Sequence, residues 1–534
     1  MTSHGDTFAR DHLPPKAQWP QMDFAAAGLN YPATLNAAAE LVDFHVADGR
    51  GERTAIRFPG GQWSYAQLLE KSNRLANVLV KDLELEPGNR VLLRGPNNPM
   101  MAAAWLAVLK AGGICVTTMP LLRARELAYT IDKADIGMAL CDARYTEELV
   151  LARHQTKRLK KLATFGDVSD LDTRMRRASP EFDNVPTSAD ETAIIAFTSG
   201  TTGQAKGTMH FHRDLLAICD LFPTSCLKAS EDDLFCGSPP LAFTFGLGGI
   251  LLFPLRIGAA SLLLEQATPP HLIKAIQDHR ATVCFTAPTA YRAMLGMLAQ
   301  HDVSSLRKCV SAGEHLPLAT FEAWKAATGL SIIDGIGSTE ILHIFVSAPE
   351  KDIRPGSTGR AVPGYEAKIV DAAGTEVPRG TIGRLAVRGP TGCRYLDDPE
   401  RQKGYVKGGW NFPGDSFSQD AEGYFWYQAR TDDMIISSGY NISAAEIENV
   451  LLEHPAVQEC GVVGVPDEER GQLIKAYVVV KGGQAGGADL VKALQDFVKA
   501  QIAPYKYPRV VEFVKALPRT ETGKLQRFKL RAQR

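Results

Sequence analysis

The chain has 534 residues, of which 45% are hydrophobic and 22% charged, as in globular proteins with more than one domain. Its 59 basic and 60 acidic residues leave a formal net charge of −1, so the composition does not support a nucleic-acid or membrane-surface partner. The nine cysteines contain no C-x-x-C pair, which argues against a zinc site or a disulfide framework and favours reduced thiols.

The first third of the chain is predicted to alternate helices and strands. Ser64 and Gln67 have the spacing of a capping box, which marks the start of a helix. An apolar run at 89–95 is followed by a helical stretch at 100–113 and a second apolar run at 114–120. This order predicts a βαβ unit, and therefore a parallel sheet with helices on its faces.

A buried strand at 193–200 leads into the sequence FTSGTTGQAKGTMH at 197–210. This stretch contains three glycines, five serine or threonine hydroxyls and one lysine, a composition suited to holding phosphate. It is not a P-loop, because Lys206 lies between Ala205 and Gly207 and no helical period follows it. The sequence therefore predicts a nucleotide-binding loop of another kind.

Residues 242–264 are long and apolar enough to resemble a membrane span. Pro254 and Arg256 lie near the middle, and a charge at that depth costs about 3 kcal/mol on insertion scales. The segment is therefore predicted to be buried core. Because the first 16 residues also lack an apolar signal region, we expect a cytoplasmic protein with no membrane partner.

Strands followed by loops of small residues recur at 281–288 and 304–317, and ligands bind at the carboxyl ends of such strands. After about residue 360, dense glycine and proline with short alternating runs predict antiparallel strands. A capping pattern at Ser443 and Glu446 begins a compact α+β region. Its further predicted elements are strands near 457–465 and 475–480, a helix at 488–501 and a strand near 510–514.

These elements predict an α/β fold with two domains. The large domain, at 1–431, would contain layered α/β sheets and an antiparallel β subdomain. The small, mobile α+β domain would occupy 432–534.

Four further segments carry groups suited to nucleotide chemistry. In DGIGSTE, Thr339 and Glu340 are a hydroxyl and a carboxylate suited to a phosphate and Mg²⁺. In WNFPGDSF, Asp415 lies at a tight turn, where its carboxylate can accept both hydroxyls of a ribose. The other two segments are YQARTDDMIISSGYNISAAEIE at 427–448 and LPRTETGKLQR at 517–527, which presents Lys524. Taken singly, each segment is ordinary for a surface turn.

Taken together and in this order, the glycine-rich loop and these segments resemble the adenylate-forming superfamily of acyl-CoA synthetases, nonribosomal peptide adenylation domains and beetle luciferases. The resemblance covers nearly the whole chain. It implies that a carboxylic acid first reacts with ATP to give acyl-AMP and pyrophosphate, and that a thiol then takes the acyl group. ATP, Mg²⁺ and coenzyme A are the implied cofactors.

The resemblance also implies a role for each matching residue. The phosphate-binding set is Thr198, Ser199, Gly200, Thr201, Thr202, Gly203 and Lys206, with Thr339 at the α-phosphate and Glu340 on Mg²⁺. The nucleoside-binding set is Gly313, Glu314, Asp334, Gly335, Ile336, Asp415 and Arg430. Lys524 is implied to bridge the carboxylate and the α-phosphate, Asp432 to be the hinge of the small domain, and Gly439 to approach the pantetheine tunnel.

Three positions depart from the pattern of the superfamily. Ile336 stands where an aromatic residue commonly stacks on adenine, Pro413 where threonine is common, and Ala429 where glycine usually precedes Arg430. None of the three changes removes a charged catalytic group, so we expect an active enzyme.

The stretch SPPLAFTFGLGG at 238–249 corresponds to the acid-binding segment of the superfamily and contains no acidic residue. An α-amino acid would leave its ammonium group buried and unpaired there. Phe243, Thr244, Phe245 and Gly246 suit a flat aromatic acid. His343 either meets a ring substituent or is an ordinary core histidine, and the sequence leaves both open.

These stretches are most similar to benzoate-CoA and 2-aminobenzoate-CoA ligases. We therefore expect an AMP-forming acid–thiol ligase that joins a small aromatic carboxylate, of benzoate or 2-aminobenzoate type, to free coenzyme A. A fatty-acyl-CoA ligase and a stand-alone adenylation module that loads a separate carrier protein are the alternatives. The sequence leaves open whether the protein is a monomer or a homodimer.

Overall fold

The structure is a computed structural model. It describes residues 2–166, 169–199, 205–430, 433, 435–437, 440–467, 470–483, 486–502, 506–519 and 525–532.

In chain order the strands are β1 (Thr54–Phe58), β2 (Gly61–Ser64), β3 (Arg90–Arg94), β4 (Ile114–Thr118), β5 (Met138–Asp142), β6 (Lys161–Phe165), β7 (Thr192–Ser199), β8 (Ala205–Phe211), β9 (Leu234–Gly237), β10 (Ala260–Leu262), β11 (Val283–Thr286), β12 (Lys308–Ser311), β13 (Ile332–Gly337), β14 (Ile344–Ser347), β15 (Arg360–Ala361), β16 (Glu366–Val370), β17 (Gly383–Arg388), β18 (Val406–Lys407), β19 (Trp410–Asn411), β20 (Asp415–Gln419), β21 (Phe425–Arg430), β22 (Ile435–Ser437), β23 (Tyr440–Ile442), β24 (Val457–Asp467), β25 (Gly471–Val480) and β26 (Val510–Phe513).

The α-helices are α1 (Phe8–Asp11), α2 (Tyr65–Lys81), α3 (Pro99–Lys110), α4 (Ala124–Lys133), α5 (Thr146–Gln155), α6 (Asp170–Arg177), α7 (His212–Phe222), α8 (Thr244–Gly246), α9 (Phe253–Ile257), α10 (Pro269–His279), α11 (Pro288–Leu295), α12 (Leu318–Thr328), α13 (Pro399–Tyr405), α14 (Ala444–Glu453), α15 (Ala488–Gln501) and α16 (Arg527–Ala532).

The strands within the first 361 residues form two large sheets. One has the order β6-β5-β3-β4-β7-β8 and is parallel except for the antiparallel β7–β8 pair. The other has the order β15-β14-β13-β12-β11-β9-β10-β1-β2, with its parallel strands between β13 and β1. The β3–α3–β4 unit confirms the predicted βαβ connection, since β3 and β4 are parallel neighbours. A strand, β8, follows the glycine-rich loop where a P-loop would have a helix.

The remaining sheets are smaller. Antiparallel β16 to β21 form one sheet, as predicted for the region after residue 360. Strands β24, β25 and β26 form another, and α14 and α15 pack against each other in the same region. The layered α/β class with an antiparallel β subdomain and a small α+β part is therefore confirmed. The division between residues 431 and 432 stays a prediction, because 431, 432 and 434 lie outside the described residues.

The two predicted helix starts differ in detail. Ser64 accepts a hydrogen bond from the Gln67 amide, and the Gln67 side chain accepts one in return, which completes the capping box of α2. Ser443 likewise accepts from the Glu446 amide at the start of α14. The Glu446 carboxylate is instead paired with Lys506 at 2.7 Å, so the second capping box was only half right.

The apolar segment at 242–264 is buried core, as predicted. It contains α8, a π-helix at Leu247–Leu252, α9 and β10, and its Arg256 is ion-paired with Asp220 and Glu40. No helix in the described part of the chain is long and apolar enough to cross a membrane. All nine cysteines are free, and eight of them are buried.

A fully buried ion pair joins β8 and α7 to the segment that follows β17. The Arg394 guanidinium donates to the Asp214 carboxylate and lies 3.8 Å from the centre of the Phe211 ring. The same carboxylate accepts from the Phe211 amide at 2.9 Å. Because Phe211 is the last residue of β8, this pair fixes the end of β8 that lies away from the glycine-rich loop.

Asp214→Asn is expected to lower the free energy of unfolding by about 3–5 kcal/mol, because it leaves the buried Arg394 charge without its counter-ion. Chemical denaturation would measure the loss. Asp278→Asn, which removes one partner of an exposed helical ion pair with Lys274, is the control and should change little. Equal, small effects of the two substitutions would contradict a structural role for the buried pair.

Candidate active site

The glycine-rich loop is a hairpin between two antiparallel strands. Its base is described: Thr198 of β7 is the register partner of Lys206 of β8. Residues 200–204, and with them the predicted Gly200, Thr201, Thr202 and Gly203, lie outside the described residues, and the side chain of Ser199 is not described. The structure therefore brings Thr198 and Lys206 together, as the phosphate-binding prediction requires.

Tyr395 connects two of the predicted catalytic groups. Its hydroxyl donates a hydrogen bond to the Glu340 carboxylate at 2.7 Å. The Lys206 ammonium nitrogen lies 5.5 Å from the centre of the Tyr395 ring. Burial, followed by the nearby Glu340 charge, raises the pKa of the Tyr395 hydroxyl. Tyr395 was not predicted from the sequence, because it is brought here by a backbone bridge to Thr208, which lies far away in the chain.

Thr339 and Glu340 lie in a short 3₁₀ helix, Thr339–Ile341, that follows β13. The carbonyl of Thr339 accepts a hydrogen bond of 2.7 Å from Nε2 of the buried His210. Burial, and then the Arg394 charge, lowers the pKa of His210 to about 3, so its imidazole is neutral at physiological pH. His210 was also missed, and it attaches the turn with the predicted Mg²⁺ ligand to β8.

The carboxylates of Glu340 and Asp415 lie near a common aromatic ring. Burial raises the pKa of the Tyr405 hydroxyl, and the charges of both carboxylates raise it further. Asp415 of β20 is the register partner of Arg430 of β21, and their side chains form an ion pair of 3.0 Å. Strand pairing thus brings together the two residues predicted to hold the ribose.

Asp334, Gly335 and Ile336 lie in β13. The Asp334 carboxylate accepts a hydrogen bond of 2.6 Å from Ser311, its register partner on β12. Burial raises the pKa of Asp334 to about 7. Gly335 is required sterically, because a Cβ there would lie 2.8 Å from the Ile344 side chain.

Gly313 and Glu314 follow β12. Gly313 has φ of +88°, a conformation that favours glycine. The Glu314 carboxylate lies 3.3 Å from the Arg519 guanidinium, which also contacts Glu459 at 3.0 Å. This ion pair connects the predicted nucleoside-binding residues after β12 to the small C-terminal part of the chain.

His343 lies at the centre of an aromatic cluster and is 3% exposed. The surrounding ring centroids, at 4.5 to 6.5 Å, belong to Phe222, Phe245, Phe253 and Phe285. Nε2 of His343 donates to the Phe245 carbonyl at 3.4 Å, and burial lowers the pKa of His343 to about 3. Its Nδ1 is buried and has no hydrogen-bond partner among the described residues.

The other predicted pocket residues lie on the neighbouring short helix α8. Thr244 and Gly246 are buried, and Phe243, the N-cap residue, is half-buried. A Cβ at Gly248 would overlap the His343 imidazole. The Leu-Gly-Gly stretch at 247–249 is therefore a packing requirement of the aromatic cluster. The predicted Asp432, Gly439 and Lys524 lie outside the described residues.

The fold and these groups together define a nucleotide-dependent α/β enzyme with a small C-terminal domain. Residues 44–395 match the AMP-binding enzyme family, and residues 446–524 match the AMP-binding enzyme C-terminal domain. The chain belongs to this ATP-dependent, adenylate-forming family, as the sequence resemblance predicted.

Three similar proteins have informative names. The benzoate–CoA ligase of Thauera aromatica is 34% identical, with 94% of this chain and 97% of the relative covered. The crystal structure of the anthranilate CoA ligase AuaEII with anthranoyl-AMP is 35% identical and has a TM-score of 0.90, covering 95% of this chain and 98% of that one. The mitochondrial acyl-coenzyme A synthetase ACSM3 of Mus musculus is 31% identical over 98% of this chain and 90% of its own length.

Proposed function

We propose that this protein is an ATP-dependent aryl-CoA ligase that acts on 2-aminobenzoate or a related benzoate. The observation that carries the assignment is the buried aromatic cluster around His343, close in sequence to the Thr339–Glu340 turn. The similarity to a benzoate–CoA ligase and to an anthranilate CoA ligase, whose substrate is 2-aminobenzoate, supports it.

In the proposed reaction, a carboxylate oxygen of the acid attacks the α-phosphorus of ATP, and the bond from that phosphorus to the pyrophosphate oxygen breaks. The thiolate of coenzyme A then attacks the acyl carbon, and AMP leaves. The first step accumulates charge on phosphoryl oxygens, so fixed cations and oriented donors stabilise it. Lys206 and Lys524 are the cations proposed for the phosphates, and Asp415 with Arg430 is proposed to hold the ribose.

The residues present fit an Mg²⁺ ion bound together with ATP. Among the described residues there is no group of three or more metal-ligating side chains, so the protein alone has no complete cage. Mg²⁺ normally binds through one or two carboxylates plus the phosphates of the substrate, and Glu340 supplies such a carboxylate. The ion would neutralise phosphate charge, while Glu340 would fix its place.

The state of His343 favours an acid with a hydrogen-bond donor on the ring. Because Nε2 donates to the Phe245 carbonyl, Nδ1 carries a lone pair and is an acceptor. A buried acceptor without a partner costs free energy, and a donor from the ligand would remove that cost. The ortho amino group of 2-aminobenzoate offers such a donor, whereas benzoate and fatty acids do not.

The first experiment compares kcat/KM for 2-aminobenzoate, benzoate and octanoate, with and without coenzyme A. The proposal requires that both aryl acids exceed octanoate and that coenzyme A is consumed. If octanoate were the best substrate, the protein would be a fatty-acyl-CoA ligase. Pyrophosphate release that did not lead to consumption of free coenzyme A would favour an adenylation module that loads a carrier protein.

His343→Phe is expected to lower the ratio of kcat/KM for 2-aminobenzoate over benzoate by about 2- to 13-fold, the worth of one neutral hydrogen bond. The substitution keeps a ring inside the aromatic cluster but removes both imidazole nitrogens, the Nδ1 acceptor and the Nε2 donor to the Phe245 carbonyl. His45→Phe is the matched control, because buried His45 also donates to a backbone carbonyl but contacts Leu255. An unchanged ratio in His343→Phe would make His343 an ordinary core residue.

A further inference from the structure

Tyr395 is the described side chain that contacts both Glu340 and Lys206, two residues predicted to act on ATP. It does so with different parts of the same side chain: the hydroxyl donates to the Glu340 carboxylate, and the ring lies beside the Lys206 ammonium group. One residue thus sets the relative position of a predicted metal ligand and a predicted phosphate-binding cation.

The position of Tyr395 is itself fixed from several sides. Its amide donates to the Gln402 side chain at 2.9 Å, and its backbone forms a bridge to Thr208 in β8. The Tyr405 ring meets it edge-on, with centroids 5.8 Å apart and planes at 78°. Tyr395 is 1% exposed. Its hydroxyl and ring therefore have little freedom to move away from Glu340 and Lys206.

An ordinary core tyrosine elsewhere in the chain makes a different kind of bond. The buried Tyr65 and Tyr291 both donate their hydroxyls to backbone carbonyls, an arrangement that only satisfies the hydroxyl. Tyr395 donates to a carboxylate, and hydrogen bonds to charged acceptors are stronger and more directional than those between neutral groups. A fixed donor on one oxygen orients the carboxylate for a ligand on the other side.

The Tyr395 ring also affects how the charge of Lys206 is held. Among the described residues, no carboxylate lies within ion-pair distance of Lys206, and its ammonium group lies over the Tyr395 ring. A ring face holds a cation without cancelling its charge, unlike an aspartate or glutamate. Lys206 can therefore be held in place while its full charge stays available to phosphate oxygens.

We propose that Tyr395 is a positioning residue for ATP activation, whose hydroxyl orients Glu340 toward the metal and whose ring holds Lys206 toward the phosphates. This inference rests on the proposed ATP-dependent function and extends it to a residue that was not assigned a role from the sequence. It does not depend on which acid is the substrate.

The two contacts can be separated by two substitutions. Tyr395→Phe removes the hydroxyl and keeps the ring, whereas Tyr395→Leu removes both. Tyr65→Phe is the control, because it removes a buried hydroxyl that donates to the Ala259 carbonyl instead of to a carboxylate. Metal affinity is measured from free Mn²⁺ by electron paramagnetic resonance in the presence of ATP and without any acid. Metal-free ATP affinity is measured by calorimetry in EDTA.

Tyr395→Phe is expected to weaken Mn²⁺ binding by about 10- to 100-fold, the usual effect of losing the partner of a ligating side chain, with metal-free ATP affinity within twofold of wild type. Tyr395→Leu is expected to weaken metal-free ATP binding as well, by about 2- to 30-fold, because Lys206 loses its ring. In a Glu340→Ala background, adding Tyr395→Phe should cause little further loss of metal affinity, since the carboxylate that Tyr395 orients has been removed. Thermal unfolding of each variant tests whether it is folded.

Wild-type Mn²⁺ affinity in Tyr395→Phe would overturn the role of the hydroxyl. Equal metal-free ATP affinity in Tyr395→Phe and Tyr395→Leu would overturn the role of the ring. Because Tyr395→Phe alone tests the role of the hydroxyl, that test stands even if Tyr395→Leu does not fold. If the wild-type protein turned over no aryl acid, the aryl assignment would fail while these binding results still decided the inference. If it bound no ATP, both would fail.

Discussion

Lys524→Ala is expected to slow acyl-AMP formation by about 10²- to 10³-fold, the usual loss when one charge-stabilising donor is removed from an active site. The resemblance to adenylate-forming enzymes implies that Lys524 bridges the acid carboxylate and the α-phosphate. Thioester formation from pre-made acyl-AMP should be retained, because that step is implied to use another orientation of the small domain. Both half-reactions can be followed separately, by pyrophosphate release and by consumption of coenzyme A.

Lys515→Ala is the matched control for this experiment. Lys515 is an exposed lysine nearby in the same C-terminal part of the chain, and its loss should leave both half-reactions unchanged. Equal losses of adenylation and thioester formation in Lys524→Ala would contradict the two-conformation interpretation. No loss in either step would make Lys524 an ordinary surface lysine.

Local sequence signals predicted the framework of the fold well. The capping box at Ser64, the βαβ unit around α3 and the bounds of α15 depend on residues close together in the chain. Hydrophobic period and capping chemistry act over a few residues, so one sequence is enough to read them. The absence of a helix after the glycine-rich loop was predicted in the same way, since no helical period follows Lys206 in the sequence.

The contacts that assemble the candidate site join residues that lie far apart in the chain. His210 bonds to Thr339 and Tyr395 bonds to Glu340, and in each case the partners lie far apart in the sequence. The motif residues themselves were identified from the sequence, but His210, the last residue of the glycine-rich stretch, and Tyr395 were not assigned a positioning role. Tyr395 is brought to the site by a backbone bridge to Thr208 in β8, which a single sequence does not reveal.

The glycines at 248 and 249 illustrate the same limit. In the sequence they are two adjacent glycines, and they were not assigned a role in binding or catalysis. In the structure a Cβ on either residue would collide with an aromatic ring, that of His343 or of Phe285. Interiors are packed closely enough for one added methyl group to matter. The two glycines thus make room for the ring cluster on which the proposed acid specificity depends.

Glu340→Gln is expected to shift the Mg²⁺ dependence of pyrophosphate release to higher concentration and to lower the rate at saturating Mg²⁺ by about 100-fold, because Mg²⁺ prefers charged carboxylate ligands. The substitution keeps the shape of the side chain, and its amide oxygen can still accept the hydrogen bond from Tyr395. Only the negative charge is lost. Titrating Mg²⁺ at fixed ATP measures the shift.

The control for this variant is Glu366→Gln, which removes the charge of an exposed glutamate paired with Arg388 in the antiparallel sheet. That change should leave the Mg²⁺ curve unaltered. If Glu340→Gln also left it unaltered, another residue would have to hold the metal, and the bond from Tyr395 would then orient a carboxylate with no metal to bind. If the curve shifted while metal-free ATP affinity stayed constant, the loss would be located at the metal rather than at the nucleotide. The charge of Glu340 would then be the property by which this turn holds Mg²⁺.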